Sequence, residues 1–350
     1  MPQRVLWIVN RGASFGGGSF SSRSIALRLT GPLSRLSCLT GYGVRCAEED
    51  LDAAKVGVDD AVFFCRHHSQ KSVDLHQELK NRGVFTVYDI DDLVGFYPAY
   101  FDLGSGAERA KLSVFKHISL ATKISVENSV IGNELEGLGV SRNDIHVIPN
   151  SYDFESFSAV KCSSGEVSKN IIFTNAAGLK FESFRNDFFS AVNEFCETTG
   201  CLVHVFSDLP QESFKFTRML YRGATDWRSH KHILQTEDFL FSLVPLGGRE
   251  DPESLRFNSA KSIVKFIEYG ASKIPGVFSN VEPYRSRLNN GVDALLVNND
   301  KDSWLEAMSE IEAGVEFRES MVRNAYENVL KNYSTEIVLD KYCALLGIKN

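Results

Sequence analysis

Short apolar runs without polar alternation recur along this chain, and they constrain its fold more than any other feature. In the first half they lie at residues 5–10, 61–65, 85–88, 118–126 and 145–148, and helical patterns at 22–36, 75–81 and 128–138 fall between them. Uninterrupted apolar strands are typical of a parallel sheet that helices cover on both faces. The pattern therefore predicts an α/β fold.

The same alternation restarts after a polar, turn-rich segment, which predicts a second domain. Strands are predicted at 171–175, 202–206, 239–244, 276–279 and 294–297, and helices at 185–198, 257–271, 301–313, 317–329 and 336–346. A chain of 350 residues exceeds what one hydrophobic core usually supports. We therefore predict a Rossmann-like domain at 1–152, a linker at 153–168, a second Rossmann-like domain at 169–332 and a C-terminal helix within 333–350.

Composition and charge exclude several classes of function. The net charge of −7 argues against a general nucleic-acid-binding protein. No run of eighteen apolar residues predicts a membrane span, and the first apolar stretch is too short for a secretory signal. The seven cysteines lack metal-binding spacing and are expected to be reduced thiols. A cytoplasmic location is the expectation that follows.

A glycine-rich loop at residues 12–18 follows the first predicted strand. Backbone N–H groups of Gly16, Gly17 and Gly18 could receive a phosphate where the loop enters a helix. The spacing matches neither the dinucleotide fingerprint nor the P-loop. A ligand loop and a plain flexible turn therefore both stay open.

Carboxylates follow another predicted strand in the segment VYDIDDL. Asp89, Asp91 and Asp92 come at its carboxyl end, where open α/β sheets bind ligands. They could bind sugar hydroxyls or a divalent metal, or transfer a proton, and the alternative is a helix cap with surface charge. His67 and His68 also follow a strand and are weaker candidates for ligand contact.

The segment FNSAKSIVKFIEYGA, residues 257–271, carries charged residues at helical spacing. Lys261, Lys265 and Glu268 would share one face of a helix, with Ser262 as its N-cap. A phosphate at that N-terminus would meet backbone N–H groups and two lysines, and the two oxygens of Glu268 could accept bonds from ribose hydroxyls. A solvated charged edge of the helix is the alternative.

Several segments resemble glycosyltransferases of the GT-B fold, especially the retaining family-4-like group (glycosyl transferases group 1). FNSAKSIVKFIEYGASKIPGVFSN resembles their donor-binding helix, and FLFSLVPL, VYDIDDL and SVENSVIGNELEGLGVSRNDIHVIPNSYD resemble other parts of the family in the same order. The residues that match the helix pattern are Asn258, Lys261, Ser262, Lys265, Glu268, Tyr269 and Pro275. The resemblance implies two Rossmann-like domains whose parallel sheets face a central cleft, with a C-terminal helix that crosses back to the N-terminal domain and packs near that cleft.

The resemblance also implies roles for individual residues. Donor binding falls to Gly16, Gly17, Gly18, Asn258, Lys261, Ser262 and Glu268, and leaving-group stabilisation to Lys180 and Lys265, with Arg185 as a second basic candidate. Asp89, Asp91 and Asp92 would orient the acceptor or assist proton transfer, and His67 and His68 would contact the acceptor. The family's first acid of a Glu-x7-Glu pair is Ala260 here, so Glu250 or Asp251 is expected to contact the donor sugar instead.

The function implied is transfer of a sugar from a nucleoside diphosphate to a hydroxyl acceptor, with retention, in glycan or polysaccharide biosynthesis. The acceptor would be a glycan, a lipid-linked sugar or a small molecule, and neither metal nor cofactor is expected. Peripheral membrane contact is compatible with the sequence. The alternatives are a sugar-nucleotide epimerase of the same fold, a non-catalytic sugar-binding relative, and a nicotinamide-dependent dehydrogenase, against which the missing GxGxxG counts.

Overall fold

The computed structural model describes residues 4–10, 25–66, 69–93, 106–155, 168–175, 182–247 and 251–348. Its internal contacts divide the chain into two compact units. Unit 1 consists of Met1–Asp153, Ala260–Ser262 and Tyr333–Asn350, and unit 2 consists of Phe154–Ser259 and Ile263–Asn332.

Within its described residues, unit 1 contains one parallel sheet of six strands. The strands are β1 (Val5–Asn10), β2 (Gly43–Glu48), β3 (Ala61–Cys65), β4 (Phe85–Ile90), β5 (Lys123–Val126) and β6 (Ile145–Val147), in the order β2-β1-β3-β4-β5-β6. Its first helices are α1 (Gly31–Thr40), α2 (Gln70–Asn81), α3 (Gly106–Leu120) and α4 (Ser129–Gly137). All five residues of β3 are buried, as their uninterrupted apolar character predicts.

The described part of unit 2 contains a second parallel sheet of six strands. These are β7 (Asn170–Asn175), β8 (Leu202–Ser207), β9 (Met219–Tyr221), β10 (Phe241–Val244), β11 (Gly276–Ser279) and β12 (Leu295–Val297), in the order β12-β11-β10-β7-β8-β9. Its helices are α5 (Arg185–Thr199), α6 (Trp227–Thr236), α7 (Pro252–Ser259), α8 (Val264–Ala271), α9 (Lys301–Ala313) and α10 (Val315–Tyr333). The order of strands reverses between β7 and β10, and such a switch point is where doubly wound sheets bind ligands.

The C-terminal helix α11 (Thr335–Leu346) belongs to unit 1. Its buried residues Val338, Tyr342 and Leu345 join the hydrophobic core that β1, β3 and α1 line. The Tyr342 hydroxyl also donates a hydrogen bond to the backbone carbonyl of Arg28. The return of the C-terminal helix to the N-terminal half of the chain is therefore confirmed.

The predicted α/β class with two parallel sheets is confirmed, but individual elements differ from prediction. Strands β2 and β9 are not predicted from the sequence, because they are edge strands with exposed or half-exposed residues and lack a continuous apolar run. The predicted strand at 118–126 is wrong in its first half, because α3 continues to Leu120 and β5 begins at Lys123. The apolar residues Ile118 and Leu120 fit either the end of a buried helix or a strand, so the spacing of apolar residues alone could not distinguish the two.

Helix α8 is held against α10 by a close approach at a glycine. A Cβ atom at Gly270 would lie 2.9 Å from the Val329 Cγ2 atom and 3.2 Å from the Ala325 carbonyl oxygen. No side chain larger than hydrogen fits there without a shift of the helix. This contact therefore fixes the position of α8, which carries Lys265 and Glu268.

Candidate functional site

In unit 1, charged side chains gather at the carboxyl ends of β3 and β4. Arg66 directly follows β3, and Asp91 and Asp92 directly follow β4. The Arg66 Nε atom lies 2.9 Å from Asp91 Oδ1, and its Nη2 atom lies 3.3 Å from Asp92 Oδ2. One planar guanidinium therefore bridges two neighbouring carboxylates.

A lysine of the same unit contacts the second oxygen of Asp92. The Lys261 Nζ atom lies 3.0 Å from Asp92 Oδ1, and the Lys261 side chain is nearly buried. The two oxygens of Asp92 thus meet two different cations. Lys261 and Arg66 balance the charges of Asp91 and Asp92, so this part of unit 1 is polar without a large excess of either sign.

Asp89 differs from the other two carboxylates because it lies inside β4 and is fully buried. The Arg28 guanidinium donates to both of its oxygens, and the Ser125 hydroxyl donates to Oδ1 at 2.6 Å. Arg28 is also fully buried and donates to the Ile148 carbonyl at 2.8 Å. These contacts favour a structural role for Asp89, and its predicted catalytic role stays a prediction.

Burial and charge act on each titratable group around this ion pair. For Arg28, burial lowers the pKa, but the Asp89 carboxylate raises it more, so the pKa lies well above its ordinary value. Burial raises the pKa of the Cys65 thiol, and the negative charge of Asp89 raises it further. Burial likewise raises the pKa of the Tyr342 hydroxyl. The Arg28 guanidinium is therefore charged, whereas the thiol and the phenol beside it stay neutral at physiological pH.

The predicted single helix at 257–271 is wrong, and so is the prediction that Ser262 is its N-cap. Helix α7 ends at Ser259, α8 begins at Val264, and Ile263 occupies the N-cap position without a side-chain bond. Asn128 Nδ2 donates to the Ala260 carbonyl at 3.0 Å, and Asn150 Nδ2 donates to the Ser262 hydroxyl. These bonds hold residues 260–262 outside any helix.

The break between α7 and α8 also separates Lys261 from the two charged residues with which it is predicted to share one helical face. Lys261 precedes α8 and belongs to unit 1, whereas Lys265 and Glu268 lie on α8 in unit 2. The predicted shared face of Lys261, Lys265 and Glu268 is therefore wrong. The predicted ligand contacts of each residue stay predictions.

In unit 2, α8 places polar groups at the carboxyl end of β7, beside the switch point. Lys265 Nζ donates to the backbone carbonyl of Thr174, the penultimate residue of β7. The Tyr269 hydroxyl donates to Thr174 Oγ1 at 3.0 Å. One turn of α8 thus fixes an ammonium group at the position where a doubly wound sheet binds nucleotide phosphates.

Four further predicted residues lie in the described part of unit 2. Glu268 and Asn258 are buried on α8 and α7. Arg185 is half-buried at the first position of α5. Asp251 precedes α7, and its two carboxylate oxygens accept bonds from the Ser254 N–H at 2.9 Å and the Ser254 hydroxyl at 2.6 Å. The geometry of Asp251 is that of a helix cap, and its predicted contact with a donor sugar stays a prediction.

The remaining predicted site residues lie outside the described part of the chain. They are Gly16, Gly17 and Gly18 of the glycine-rich loop, His67 and His68 after β3, Lys180 after β7, and Glu250 before α7. Across the described ranges, no helix combines the length and the apolar character that crossing a bilayer requires.

Solved structures resemble this chain over most or all of its length, although no protein-family model matches it and no curated protein sequence is significantly similar. Sucrose-phosphate synthase from Thermosynechococcus elongatus has a TM-score of 0.66 at 12% identity, over 98% of each chain. Anabaena Alr3699/HepE in complex with UDP and glucose has a TM-score of 0.65 at 12% identity, over 99% of this chain and 100% of that one. S. aureus TarM has a TM-score of 0.58 at 12% identity, and this chain covers 56% of the TarM chain.

The chain has a GT-B fold. The GT-B comparison rests on shape, because identities of 12% leave the site residues unaligned by sequence. Two six-stranded parallel sheets in the described residues meet the expectation of two Rossmann-like halves. The switch point in the second sheet lies beside Lys265, which the sequence motif already singles out.

The structure also shows side-chain contacts in the candidate site that involve residues not predicted from the sequence. Arg66 and Arg28 contact the carboxylates of VYDIDDL across 26 and 61 positions of sequence. Asn128 and Asn150 reach residues 132 and 112 positions away. Arg66 alone carried a local signal, because it directly follows an apolar strand and precedes two histidines, as ligand-binding residues of a parallel sheet do.

Proposed function

We propose that this protein is a glycosyltransferase that moves a sugar from a nucleoside diphosphate to a hydroxyl acceptor. The observation that carries the proposal is the ammonium group of Lys265 at the carboxyl end of β7, beside the switch point of a doubly wound sheet. Departure of a diphosphate leaves negative charge on its oxygens. A fixed cation at that position stabilises the charge as it develops.

Unit 2 supplies the donor-binding groups in this proposal. The N-terminus of α8 attracts phosphate through its backbone dipoles, and Ile263 at the N-cap position offers no side-chain oxygen in competition. Glu268, one turn after Lys265 on the same helix, accepts hydrogen bonds from the ribose hydroxyls. Lys180, which follows β7 in the sequence, adds a second cation for the diphosphate. Arg185 and Asn258 of unit 2, together with the glycine-rich segment 12–18 of unit 1, complete donor binding.

Unit 1 supplies the acceptor-binding groups in this proposal. Asp91 and Asp92 orient the acceptor hydroxyl and receive its proton as the new glycosidic bond forms. The bond from the anomeric carbon to the diphosphate breaks, and the nucleoside diphosphate leaves with the electron pair. The acceptor is a glycan, a lipid-linked sugar or a small molecule, and the reaction belongs to glycan or polysaccharide biosynthesis. Retention of the anomeric configuration and a cytoplasmic location stay predictions.

Uridine is the base that we propose first. HepE is solved with UDP and glucose and with UDP-glucose, and TarM is solved with UDP and α-GlcNAc-glycerol. These ligands are those of the neighbours, and they support the choice of nucleotide for a first experiment.

UDP is expected to raise the melting temperature of the intact protein more than GDP, ADP or dTDP at equal concentration. A ligand present at 100 times its dissociation constant stabilises the native state by about 2.7 kcal/mol, which corresponds to several degrees in a chain of this size. Differential scanning fluorimetry over a UDP titration measures this effect. A melting temperature that no nucleotide or nucleotide sugar changes would contradict the proposed donor site.

An epimerase is the second candidate, because a putative UDP-N-acetylglucosamine 2-epimerase from Listeria monocytogenes matches with a TM-score of 0.58 at 10% identity. Such an enzyme needs no acceptor. Incubation with UDP-N-acetylglucosamine alone, followed by NMR of the products, separates the two reactions. A new sugar nucleotide indicates the epimerase, whereas free UDP and a glycoside, formed only with an acceptor, indicate the transferase.

A further inference from the structure

Arg66 has a backbone conformation that side-chain-bearing residues rarely adopt. Its φ angle is 54°, and Lys273 is the one other non-glycine residue with positive φ in the described part of the chain. The left-handed region is unfavourable for a residue with a Cβ atom, so such a residue is retained where surrounding contacts require it. The Arg66 N–H donates to the Asp89 carbonyl at 3.0 Å, which continues the pairing of β3 with β4 by one residue.

In this conformation the side chain of Arg66 contacts two carboxylates. Its Nε atom faces Asp91 Oδ1 at 2.9 Å, and its Nη2 atom faces Asp92 Oδ2 at 3.3 Å. Like charges on adjacent residues repel each other. The Arg66 guanidinium donates a hydrogen bond to Asp92 and lies at ion-pair distance from Asp91, so one cation holds both carboxylates beside it. The Asp91 side chain is 5% exposed, and the Arg66 side chain is 36% exposed. Arg66 therefore lies at the surface and still sets the geometry of a nearly buried acid.

We propose that Arg66 is a positioning residue, which fixes Asp91 and Asp92 for the acceptor hydroxyl. This inference rests on the proposed function. Replacement of Arg66 by glycine removes the guanidinium and also relieves the unfavourable φ angle. This one substitution therefore distinguishes two roles. If Arg66 serves the fold alone, Arg66→Gly changes Tm alone; if Arg66 positions the site, Arg66→Gly lowers kcat while Tm is kept or rises.

The test compares Arg66→Gly and Arg66→Lys with the wild-type protein. UDP release from UDP-glucose, with a panel of monosaccharide and disaccharide acceptors, gives kcat and KM, and scanning fluorimetry gives Tm. We expect Arg66→Gly to lower kcat by at least about 10-fold, because small displacements of catalytic groups have effects of this size or larger. The KM for UDP-glucose stays unchanged, and Tm stays equal or rises. Arg66→Lys keeps the positive charge but lacks the planar guanidinium, so we expect its kcat to lie between those of the wild type and Arg66→Gly.

Lys273→Gly is the matched control, because it relieves the other positive φ angle in the described chain. Lys273 follows α8 in unit 2, and its Nζ atom lies 5.1 Å from the centre of the Tyr326 ring of the same unit. Its kcat is expected to equal that of the wild type. A wild-type protein that releases UDP, with Arg66→Gly equally active, overturns this inference alone. A wild-type protein that releases no UDP under any acceptor overturns the proposed function, and the inference with it.

A second and independent feature is a chain of hydrogen bonds through two buried histidines. His76 Nδ1 lies 2.8 Å from His117 Nδ1, His76 Nε2 lies 2.9 Å from Thr86 Oγ1, and His117 Nε2 lies 2.9 Å from Ser72 Oγ. Both rings are fully buried. The His76 ring stacks on Phe64, and the His117 ring stacks on Tyr88.

The hydroxyl groups of Ser72 and Thr86, at the two ends of this series of hydrogen bonds, determine which ring nitrogen carries each proton. The Ser72 hydroxyl donates to the Ser69 carbonyl at 2.9 Å, so its oxygen accepts from His117 Nε2–H. Neutral His117 then has a lone pair on Nδ1, which accepts from His76 Nδ1–H. His76 Nε2 in turn accepts from the Thr86 hydroxyl.

We infer that this chain holds both histidines neutral, His76 as the Nδ1–H tautomer and His117 as the Nε2–H tautomer. A further proton on His117 Nδ1 would place two donors against each other between the two rings, whereas one on His76 Nε2 would require the Thr86 hydroxyl to turn from donor to acceptor. Either proton would also put a charge in a fully buried site, which burial disfavours. The charged groups on the two helices that carry the rings are Lys71, Asp74, Glu78 and Lys80 of α2 and Glu108, Arg109, Lys111 and Lys116 of α3, and all are exposed except Lys111, which is half-exposed. On the neighbouring strands, Asp89 of β4 pairs with Arg28 and Lys123 of β5 pairs with Asp144.

NMR of protein labelled with ¹⁵N in its histidine rings tests this assignment. A scalar coupling across the bond between two ring nitrogens identifies the pair without any substitution. Opposite neutral tautomers are expected for its two members, unchanged between pH 7.5 and pH 6, while exposed His232 of α6 serves as the reference for an accessible ring. An imidazolium pattern in either ring at pH 7.5, identical tautomers, or no coupling would overturn the inference.

Discussion

Replacement of Arg28 by alanine is expected to lower the free energy of unfolding of unit 1 by about 3–5 kcal/mol. Removal of one partner from a buried ion pair leaves the other charge without compensation, and Asp89 is fully buried. The same substitution removes the bond to the Ile148 carbonyl. Urea denaturation measures the loss, and amide hydrogen exchange in β4 and α11 shows whether it lies in unit 1.

Two further variants make the Arg28 result specific. Arg45→Ala removes an arginine that lies exposed over the Trp7 ring, 5.4 Å from its centre, and we expect it to change stability by less than about 1 kcal/mol. Arg28→Met with Asp89→Leu replaces the whole pair by apolar groups and is expected to recover part of the stability. A loss below about 1 kcal/mol for Arg28→Ala would contradict the importance of the ion pair.

Stability also separates the two roles considered for Asp89. A catalytic carboxylate can be changed to its amide with the fold intact, whereas a carboxylate that holds a buried arginine cannot. We therefore expect any loss of activity in an Asp89 variant to accompany a loss of stability, unlike the loss in Arg66→Gly. The sequence could not make this distinction, because it predicts the end of the strand at residue 88 and the structure continues β4 to Ile90.

The parts of the fold that the sequence predicts well are those in which burial alone determines the pattern. Strand β3 is apolar throughout and β7 is apolar at residues 171–173, because helices cover both faces of a parallel sheet. Edge strand β2 has exposed residues at Arg45 and Cys46, so its composition is indistinguishable from that of a loop. Helix α6 is not predicted from the sequence, because only one of its faces is buried and most of its residues are polar.

The candidate site shows a similar limit at the break between α7 and α8. Local spacing favours one continuous helix through residues 257–271. The break depends on Asn128 and Asn150, which occupy the Ala260 carbonyl and the Ser262 hydroxyl from distant positions in the sequence. Helical periodicity contains no information on such contacts, so it could not predict where the helix of Lys265 begins. The ligand-binding role that the motif predicts for Lys265 stays a prediction.

Replacement of Lys265 by alanine is expected to lower kcat/KM for the sugar nucleotide by about 100-fold or more. Loss of one preorganised donor that faces developing negative charge typically has an effect of this size. Stability is expected to fall by about 0.5–1.5 kcal/mol, because Lys265 is half-buried and donates a hydrogen bond to the Thr174 carbonyl. UDP release from UDP-glucose and the UDP-dependent rise in melting temperature are the two measurements.

The control for this prediction is Lys301→Ala, which removes a lysine of the same unit whose ammonium pairs with Glu194 at the surface, 2.7 Å away. Its turnover and its response to UDP are expected to equal those of the wild type. Lys265→Arg keeps a positive charge but places it differently, so we expect a partial loss of turnover with most of the UDP response retained. If Lys265→Ala kept both turnover and the UDP response while the wild type released UDP, the diphosphate would have to lie away from the carboxyl end of β7. The chemistry would then depend on groups other than Lys265.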